Sequence, residues 1–347
     1  MPAIRPNAVR KTRRWLLALP LAAAVAAPLG AGAQQQELKY ASAAPPGSVF
    51  ARQVERLAAD IESETGGAVK IVPFHNSQLG AEADVISQIA RGRLDMGGFA
   101  SSALALQVPE VAMLQLPFFF DSEAQRDCAM DEHVKPLIEA ALEKKGLKFV
   151  TWGESGSGQL IGKKGYADPE DVRGIKMGIF ASKAQNEFWR RLGANPVPTA
   201  SPDLASSLQT GLIDAWSTVP AFYVPSGLNK IAPVLTKLDI TGALTINVIN
   251  KKRFDSFAPE VQARFMKGTF KTPTATVRQE IRDFNEAMLG MHAKGGGTVV
   301  SVTPAQRAAW QKGLEAYYGQ IARDYGPAGE KLYAAMNAGK KACKAKS

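Results

Sequence analysis

The sequence predicts an α/β protein of two lobes, with a hinge between them and a long helix that spans both. Strand and helix patterns alternate through residues 38–99 and again through residues 167–220, which is typical of parallel sheets covered by helices. A glycine run at residues 153–158 separates the two parts. A helical pattern over residues 274–292 is long enough to reach both lobes.

Residues 167–220 are the clearest of these segments, since turn chemistry marks each join. The pattern is strand, helix, short strand, helix and strand, with Gly174, Gly193 and Gly211 at the turns and helix ends. Parallel units of this kind bind ligands at the carboxyl ends of their strands. Those ends fall near Phe180 and Thr218.

The first 33 residues predict a secretory signal peptide and hence a periplasmic location. Five basic residues precede an apolar run over residues 15–29, and Ala31-Gly32-Ala33 is a small-residue cleavage site. A membrane anchor is the alternative, but the run is shorter than the ~20 residues that span a bilayer, and two prolines interrupt it. Residues 12–17 also resemble a twin-arginine signal, so the export route stays open.

The 314 residues of the mature chain are enough for two lobes of ordinary domain size, and their charge does not indicate nucleic-acid binding. Removal of the five basic residues of the signal lowers the formal net charge from +10 to +5. The remaining excess concentrates in lysines at the C-terminus, which we interpret as a solvated, frayed tail; no basic stripe with interleaved aromatics predicts nucleic-acid binding. We expect the first lobe to comprise residues 34–155 and 244–283, and the second residues 156–243 and 284–347.

Two cysteines remain in an oxidising compartment. An even count favours a disulfide between Cys128 and Cys343, which would tie the C-terminal tail to the first lobe. Two free thiols are the alternative.

The glycine run at residues 153–158 predicts a flexible hinge or a pocket wall. A phosphate-binding loop is disfavoured, because no lysine followed by serine or threonine closes the run. Within it, we interpret Glu154 as a surface or hinge carboxylate.

The sequence predicts no catalytic residue, metal site or cofactor. His75, His133 and His292 lack neighbours at metal-ligand spacing, and no nucleophile elbow is present. An exported two-lobed protein of this kind fits a binding protein that closes around a small organic solute. An enzyme is an alternative, which would require Glu154, Asp214 and His75 to converge.

Seven short motifs, in the order of the family, give the mature chain a resemblance to the solute receptors of tripartite ATP-independent periplasmic (TRAP) transporters, the DctP-like group. Each motif alone is weak, but together they extend over nearly all of the mature chain. The motifs are Thr65-Gly66-Gly67 with Val69, Gln78-Leu79-Gly80, Leu94-Asp95-Met96, Leu116-Pro117-Phe118-Phe119-Phe120, Pro169-Glu170-Asp171-Val172-Arg173-Gly174-Ile175-Lys176, Gly193-Ala194-Asn195-Pro196-Val197-Pro198 and Leu208-Gln209-Thr210-Gly211-Leu212-Ile213-Asp214.

The resemblance implies a monomeric receptor that binds a solute between its lobes and delivers it to TRAP membrane subunits. It also implies that binding and delivery of the solute involve neither ATP nor a chemical reaction. A sensor subunit that docks on a membrane signalling protein has the same fold, and the sequence does not separate the two roles.

Departures from the family pattern concern the ligand. The resemblance implies a carboxylate-clamping arginine at the position of Gly178 and often a second arginine at Gly158. It also implies an asparagine at Thr218 and an aromatic residue at Ser201. Loss of both arginines removes the strong bidentate contact to a carboxylate.

We therefore expect a solute that is not a simple dicarboxylate, but larger, less charged or aromatic. Trp216, Phe180 and Trp152 are available as walls, although Trp152 fits the core equally well. The candidate ligand-binding residues are Ser42, Ser101, Gly158, Gln159, Gly178, Phe180, Ser201, Trp216 and Thr218.

Overall fold

The computed structural model describes residues 35–180, 182–200 and 203–344, which form two β-sheets and the helices around them. The predicted signal peptide and Ser201 lie outside the described residues. The strands are β1 (Gln36–Ser42), β2 (Val69–Phe74), β3 (Met96–Ala100), β4 (Leu147–Ser157), β5 (Gln159–Gly162), β6 (Lys176–Ile179), β7 (Asn195–Pro198), β8 (Ala215–Thr218), β9 (Val234–Lys237), β10 (Gly242–Asn250) and β11 (Thr298–Ser301). The helices are α1 (Val49–Glu64), α2 (Glu82–Ala90), α3 (Ser101–Leu104), α4 (Glu123–Ala129), α5 (Lys135–Glu143), α6 (Lys183–Arg191), α7 (Leu204–Thr210), α8 (Pro220–Tyr223), α9 (Lys251–Asp255), α10 (Pro259–Gly268), α11 (Thr274–Lys294), α12 (Pro304–Gln311), α13 (Leu314–Asp324) and α14 (Gly326–Ala342).

The first sheet has the strand order β2-β1-β3-β10-β4. Strand β1 runs parallel to β2 and β3, whereas β10 runs antiparallel to β3 and β4. Helix α1 begins where the Ser48 hydroxyl accepts a hydrogen bond from Ala51 N at 3.1 Å, as its position before an apolar helical pattern predicts. The apolar face of this helix packs over the sheet beside α10.

The second sheet has the strand order β11-β9-β5-β8-β6-β7. Strand β6 lies between β7 and β8 and is parallel to both. This arrangement confirms the strand-helix-strand-helix-strand prediction for residues 167–220, so the carboxyl ends of β6 and β8 lie side by side.

Two chain segments cross between the sheets and are hydrogen-bonded to each other. Gly158 is the residue between β4 and β5; its N–H donates to Thr241 O at 2.9 Å, and its carbonyl accepts from Ile240 N at 2.9 Å. The glycine run before it is not a flexible loop, because β4 continues to Ser157 and pairs with β10 through that run. The prediction of a flexible loop at residues 153–157 was therefore wrong, whereas the predicted pocket wall is confirmed, since Gly153, Glu154 and Ser155 line the cavity between the sheets.

Helix α11 spans both lobes, as predicted. Its 21 residues extend about 30 Å and contact β4 of the first sheet as well as β11 of the second. Among the residues that the structure describes, no helix combines the length and hydrophobicity that a lipid bilayer requires.

The C-terminal helices close the fold and are not frayed. Tyr318 Oη donates to Pro117 O at 2.6 Å, and Lys340 Nζ donates to Phe119 O at 2.7 Å. A disulfide joins Cys128 in α4 to Cys343 just after α14, which confirms the predicted bridge. The expected mobile tail is thus helical and cross-linked through residue 343, since its apolar face and its cysteine are buried.

Candidate solute-binding site

A cavity of about 380 Å³ lies between the two sheets. Its walls come from the carboxyl ends of β1, β3, β6 and β8, together with the crossing at Gly158. Ligand sites in open α/β sheets are found at such strand ends. The volume is within the range of pockets that hold small organic ligands.

Most of the predicted ligand-binding residues contribute to the wall of this cavity. Ser101 and Gln159 do not, and Ser201 lies outside the described residues. The predicted residues on the wall are Ser42, Gly158, Gly178, Phe180, Trp216 and Thr218.

Ser101 and Gln159 are buried behind the wall and serve the fold. Ser101 Oγ accepts a hydrogen bond from Gln115 Nε2 at 3.0 Å, while its neighbour Ser102 reaches the cavity. Gln159 Oε1 accepts from Leu238 N at 2.8 Å and from the next backbone N–H at 3.0 Å, and Gln159 Nε2 donates to Asp239 Oδ1 at 2.6 Å. The side-chain amide of Gln159 thus holds residues 238 and 239, which lead into the second segment that crosses between the sheets.

Gly178 and Trp216 are register partners on the parallel strands β6 and β8. A Cβ atom on Gly178 would lie 2.6 Å from Cε3 of Trp216 and 2.7 Å from Cδ1 of Ile213. Real Cβ atoms do not approach other atoms so closely, so the indole ring occupies the space that a side chain at residue 178 would need. The second lobe therefore presents an indole where the resemblance implies a guanidinium.

Aromatic rings form much of the cavity surface near that position. Phe180 and Trp216 meet edge to face, with ring centroids 4.9 Å apart and an interplanar angle of 78°. Trp152 lies on the opposite sheet and also reaches the cavity although it is 5 % exposed. Its buried Nε1 has no hydrogen-bond partner among the described residues. The cleft thus offers aromatic stacking surfaces from both sheets.

Basic side chains are scarce on the wall. Among the described residues that line the cavity, Arg56 on α1 is the only arginine or lysine. Its Nη1 is already 2.7 Å from Glu280 Oε2 on α11. Asp60, one helical turn farther along α1, accepts a hydrogen bond from Thr272 Oγ1 at 2.6 Å.

Glu82 brings a carboxylate to the wall without a basic partner. Its Oε1 accepts a long hydrogen bond from Ala100 N at 3.4 Å, and the described residues contain no cation within ion-pair distance of it. Burial raises the pKa of the Glu82 carboxyl, and the Ala100 N–H opposes that shift. The wall is therefore neutral to acidic.

Glu154 is buried and paired, contrary to its interpretation as a surface or hinge carboxylate. Its Oε2 lies 2.9 Å from Arg126 Nη2 and 3.4 Å from Arg282 Nη2, and its Oε1 accepts from Gly156 N at 2.8 Å. Burial raises the pKa of Glu154, and the two guanidinium groups act in the opposite direction. Because both carboxylate oxygens of Glu154 already have partners in the protein, we infer that this residue stabilises the cavity wall and does not bind the solute.

Arg282 and Arg278, four positions apart on α11, extend this network to Asp127 on α4 and to Asp131 just beyond α4. Arg282 Nη2 lies 2.7 Å from Asp127 Oδ2, and Arg278 binds Asp131 through two hydrogen bonds of 2.7 and 2.9 Å. Burial lowers the pKa of both α11 guanidinium groups, but the neighbouring carboxylates outweigh it, so the net shift is upward. The network joins β4 to the long helix directly beneath the cavity.

The three residues that an enzyme would require do not converge. Glu154 is held by arginines, whereas the Asp214 carboxylate accepts from Lys176 N at 2.7 Å at the start of β6. His75 lies near Glu55, with 3.6 Å between Nε2 and Oε1, and neither His75 nor Asp214 lines the cavity.

Sequence reasoning missed several residues of the wall. Glu82 lies two residues after the Gln78-Leu79-Gly80 motif, and its place at the start of α2 was a usable signal. Tyr40 and Asn247 carried no local signal, because their contact joins residues 207 positions apart.

The fold and the cleft define a two-lobed, solute-binding receptor. The chain belongs to the bacterial extracellular solute-binding proteins, family 7, whose family model (DctP) matches residues 40–324. Proteins of this family and fold are receptors and not enzymes.

Individual relatives and structures agree with this membership. The 2,3-diketo-L-gulonate-binding periplasmic protein of Escherichia coli is 26% identical over 73% of this chain and 77% of its own. The C4-dicarboxylate-binding periplasmic protein of Rhodobacter capsulatus is 24% identical over 91% of this chain and 96% of its own. A TRAP periplasmic solute-binding protein of Sulfitobacter sp. NAS-14.1, solved with β-D-galacturonate, has a TM-score of 0.80 at 23% identity, with 87% of this chain and 100% of that chain covered. The last likeness concerns the fold.

Proposed function

We propose that this chain is the periplasmic receptor of a TRAP transporter, exported by a signal peptide at residues 1–33. It binds a small organic solute in the cleft, closes around it and delivers it to the membrane subunits. Family membership supports the receptor role, and the paired crossings at Gly158 and Thr241 provide a place for closure. The proposed division into residues 34–155 with 244–283 and residues 156–243 with 284–347 is consistent with one sheet in each lobe.

The proposed solute is neutral and carries an aromatic or other flat apolar group. The observation that carries this proposal is the packing of Trp216 against Gly178 at the position where the resemblance implies an arginine. A guanidinium binds a carboxylate through two charge-assisted hydrogen bonds, and an indole ring offers none in that direction. The same ring, with Phe180 edge to face beside it, supplies a surface for stacking.

The charges on the wall disfavour an anionic solute. Arg56 is already paired with Glu280, and Glu82 has no cation beside it among the described residues. A dicarboxylate would bring two negative charges toward an uncompensated carboxylate in a partly buried cleft, which is electrostatically unfavourable.

Trp152 adds a further aromatic surface to this proposal. Its side chain contributes to the cavity wall from the first lobe, opposite Phe180 and Trp216. Because its Nε1 is buried within the protein, Trp152 offers the solute a stacking surface and not a hydrogen bond.

The named relatives make this proposal specific. The Escherichia coli and Rhodobacter capsulatus proteins are named for a sugar acid and for C4-dicarboxylates, which are anions at neutral pH. The proposal is that this chain has kept their receptor role and exchanged the anion contact for an aromatic one.

Mass spectrometry of the small molecules that co-purify with the natively exported protein tests the solute class. The expected result is one dominant neutral compound with an aromatic or flat apolar group. A dominant dicarboxylate or hexuronate would overturn the solute class and leave the receptor role intact. For the receptor role itself, deletion of the chain should abolish uptake of that compound, and unchanged uptake would contradict it.

A further inference from the structure

The cavity touches both faces of strand β4. Successive residues of a strand point to opposite faces of its sheet, and β4 pairs with β10 in unbroken register from Thr151 to Glu154. Trp152 and Glu154 line the cavity from one face, and Thr151 and Gly153 line it from the other. A single cavity can reach both faces only by passing the edge or the end of this strand, which is at the edge of its sheet.

The part on the Thr151 face lies inside the first lobe, between the sheet and α1. We name it the inner compartment and define it by Tyr40, Thr151, Thr245 and Asn247 on the sheet and Gln53, Val54 and Leu57 on α1. Leu57 follows Val54 by three positions and Gln53 by four, so it is the neighbour of both on the surface of α1. Gln53 Nε2 donates to Glu154 O at 3.1 Å and thereby closes the gap between helix and strand beside the compartment.

The sheet side of the inner compartment is polar but uncharged, and Val54 and Leu57 add apolar surface from α1. Tyr40 Oη donates to Asn247 Oδ1, and Asn247 Nδ2 donates to Thr151 O at 3.2 Å. Thr245 Oγ1 lies 3.4 Å from Ser155 Oγ. These hydroxyl and amide groups suit hydroxyl groups of a ligand, since each can both donate and accept.

Charged groups farther along α1 offer the inner compartment no free cation. Arg56 is paired with Glu280, and Asp60 accepts from Thr272 Oγ1. An anionic ligand group would have to displace Glu280 from Arg56 to find a cation there.

The cleft and the inner compartment therefore differ in chemistry: the cleft has the Phe180–Trp216 pair and Trp152, and the compartment has hydroxyls and an amide. We propose that the solute is elongated, with its flat apolar head in the cleft and a neutral, hydroxyl-bearing tail in the inner compartment. This inference rests on the proposed function, because both parts belong to the same site.

Cysteine labelling tests whether a solute can reach the inner compartment. The native cysteines in the described chain are bonded to each other, so a cysteine introduced there is the free thiol that a neutral reagent such as methyl methanethiolsulfonate modifies. Thr151→Cys should be labelled readily, and Leu160→Cys, which is fully buried and does not line the cavity, is the matched control. Thr245→Cys replaces Thr151→Cys if the latter fails to fold. Labelling no faster than in Leu160→Cys would overturn the inner compartment without reference to any ligand.

Two probes then test the tail. Phenol represents the head alone, and phenyl β-D-glucopyranoside carries the same head with a hydroxylated tail. The expected results are tighter binding of the glucoside, by about tenfold or more, and protection of the introduced thiol, in Thr151→Cys or in Thr245→Cys, by the glucoside only. Equal affinity, or equal protection by both probes, would overturn the inference while the proposed function stands. Absence of binding by both probes would overturn the proposed solute class together with it.

Discussion

Gly178 lies directly under the indole ring of Trp216, so that a Cβ atom on Gly178 would stand 2.6 Å from Cε3 of that ring. The two residues face each other across parallel strands whose carboxyl ends form the second-lobe wall. Because the ring fills the space above the glycine, a side chain at residue 178, such as the arginine that the resemblance implies there, does not fit this wall without repacking. The contact links the fold to the proposed solute class.

Restoring an arginine alone should not restore carboxylate binding. Gly178→Arg forces the indole and Ile213 to move, and overpacking of this kind costs about 1–3 kcal/mol of unfolding free energy. Urea unfolding with a succinate titration measures both effects. Gly290→Arg is the control, since nothing lies within 4 Å of a Cβ at that exposed helical position. Wild-type stability together with succinate binding in Gly178→Arg would contradict this packing of the wall.

The disulfide should contribute strongly to stability. Cys128 and Cys343 are separated by 215 positions, and closing so long a loop in the unfolded chain corresponds to about 5 kcal/mol in the chain-entropy model, with 2–4 kcal/mol typical of measurements. We expect the variant with both cysteines changed to serine to melt at a lower temperature. A reducing agent should lower the melting temperature of the wild type and leave the double variant unchanged; an equal response of both would refute the role of this bridge.

Glu154 should be essential to the support of the cavity wall. Glu154→Gln removes the fully buried countercharge of Arg126 and Arg282 and leaves them to the more exposed carboxylates of Asp127 and Glu123; breaking a buried pair costs up to about 3–5 kcal/mol. Chemical denaturation measures the loss. Glu260→Gln breaks an exposed helical pair with Arg264 and should cost less than ~1 kcal/mol. Similar losses in the two variants would mean that the network beneath the cavity is not structural.

Glu82 should make the unliganded protein less stable as the pH rises. Below the ordinary glutamate pKa range, the carboxyl is protonated in both folded and unfolded chains and favours neither. As the pH rises, the unfolded chain releases this proton first because burial raises the folded-state pKa, so unfolding becomes more favourable until the folded-state pKa is passed.

Glu82→Gln should therefore stabilise the protein at neutral pH, by no more than a few degrees in melting temperature, and have little effect at about pH 3. Thermal unfolding at the two pH values measures this difference. Asp84→Asn, on the exposed side of the same helix, is the control. A destabilised Glu82→Gln variant at neutral pH would show that the ionised carboxylate has a partner in the folded chain.

Local sequence patterns were sufficient for the fold of residues 167–220. Glycines and prolines at each join of that segment fixed strand and helix order, and the parallel pairing of β6 with β7 and β8 followed from it. The even cysteine count was sufficient to favour the bridge from Cys128 to Cys343.

Features that depend on long-range pairing were not accessible in the same way. The glycine run resembles a flexible loop until β10, about 90 positions later, pairs with it. Glu154 resembles a surface residue until Arg282, 128 positions away, is brought against it. Among the predicted site residues, those at the carboxyl ends of β1, β6 and β8 line the cavity. The side chains of Ser101 and Gln159 instead make hydrogen bonds behind the wall, and the sequence pattern does not give the direction of these side chains.

The most direct test of the account is a thermal-shift comparison on the purified, ligand-free protein. One panel contains succinate, malate and D-galacturonate; the other contains phenol, benzamide and phenyl β-D-glucopyranoside. A ligand that binds only the folded state raises its stability with concentration. We predict that the melting temperature rises with neutral aromatic compounds and does not change with the carboxylates, because Trp216 fills the space where the resemblance implies a carboxylate-binding arginine. Stabilisation by the carboxylates and none by the aromatic compounds would contradict the central claim.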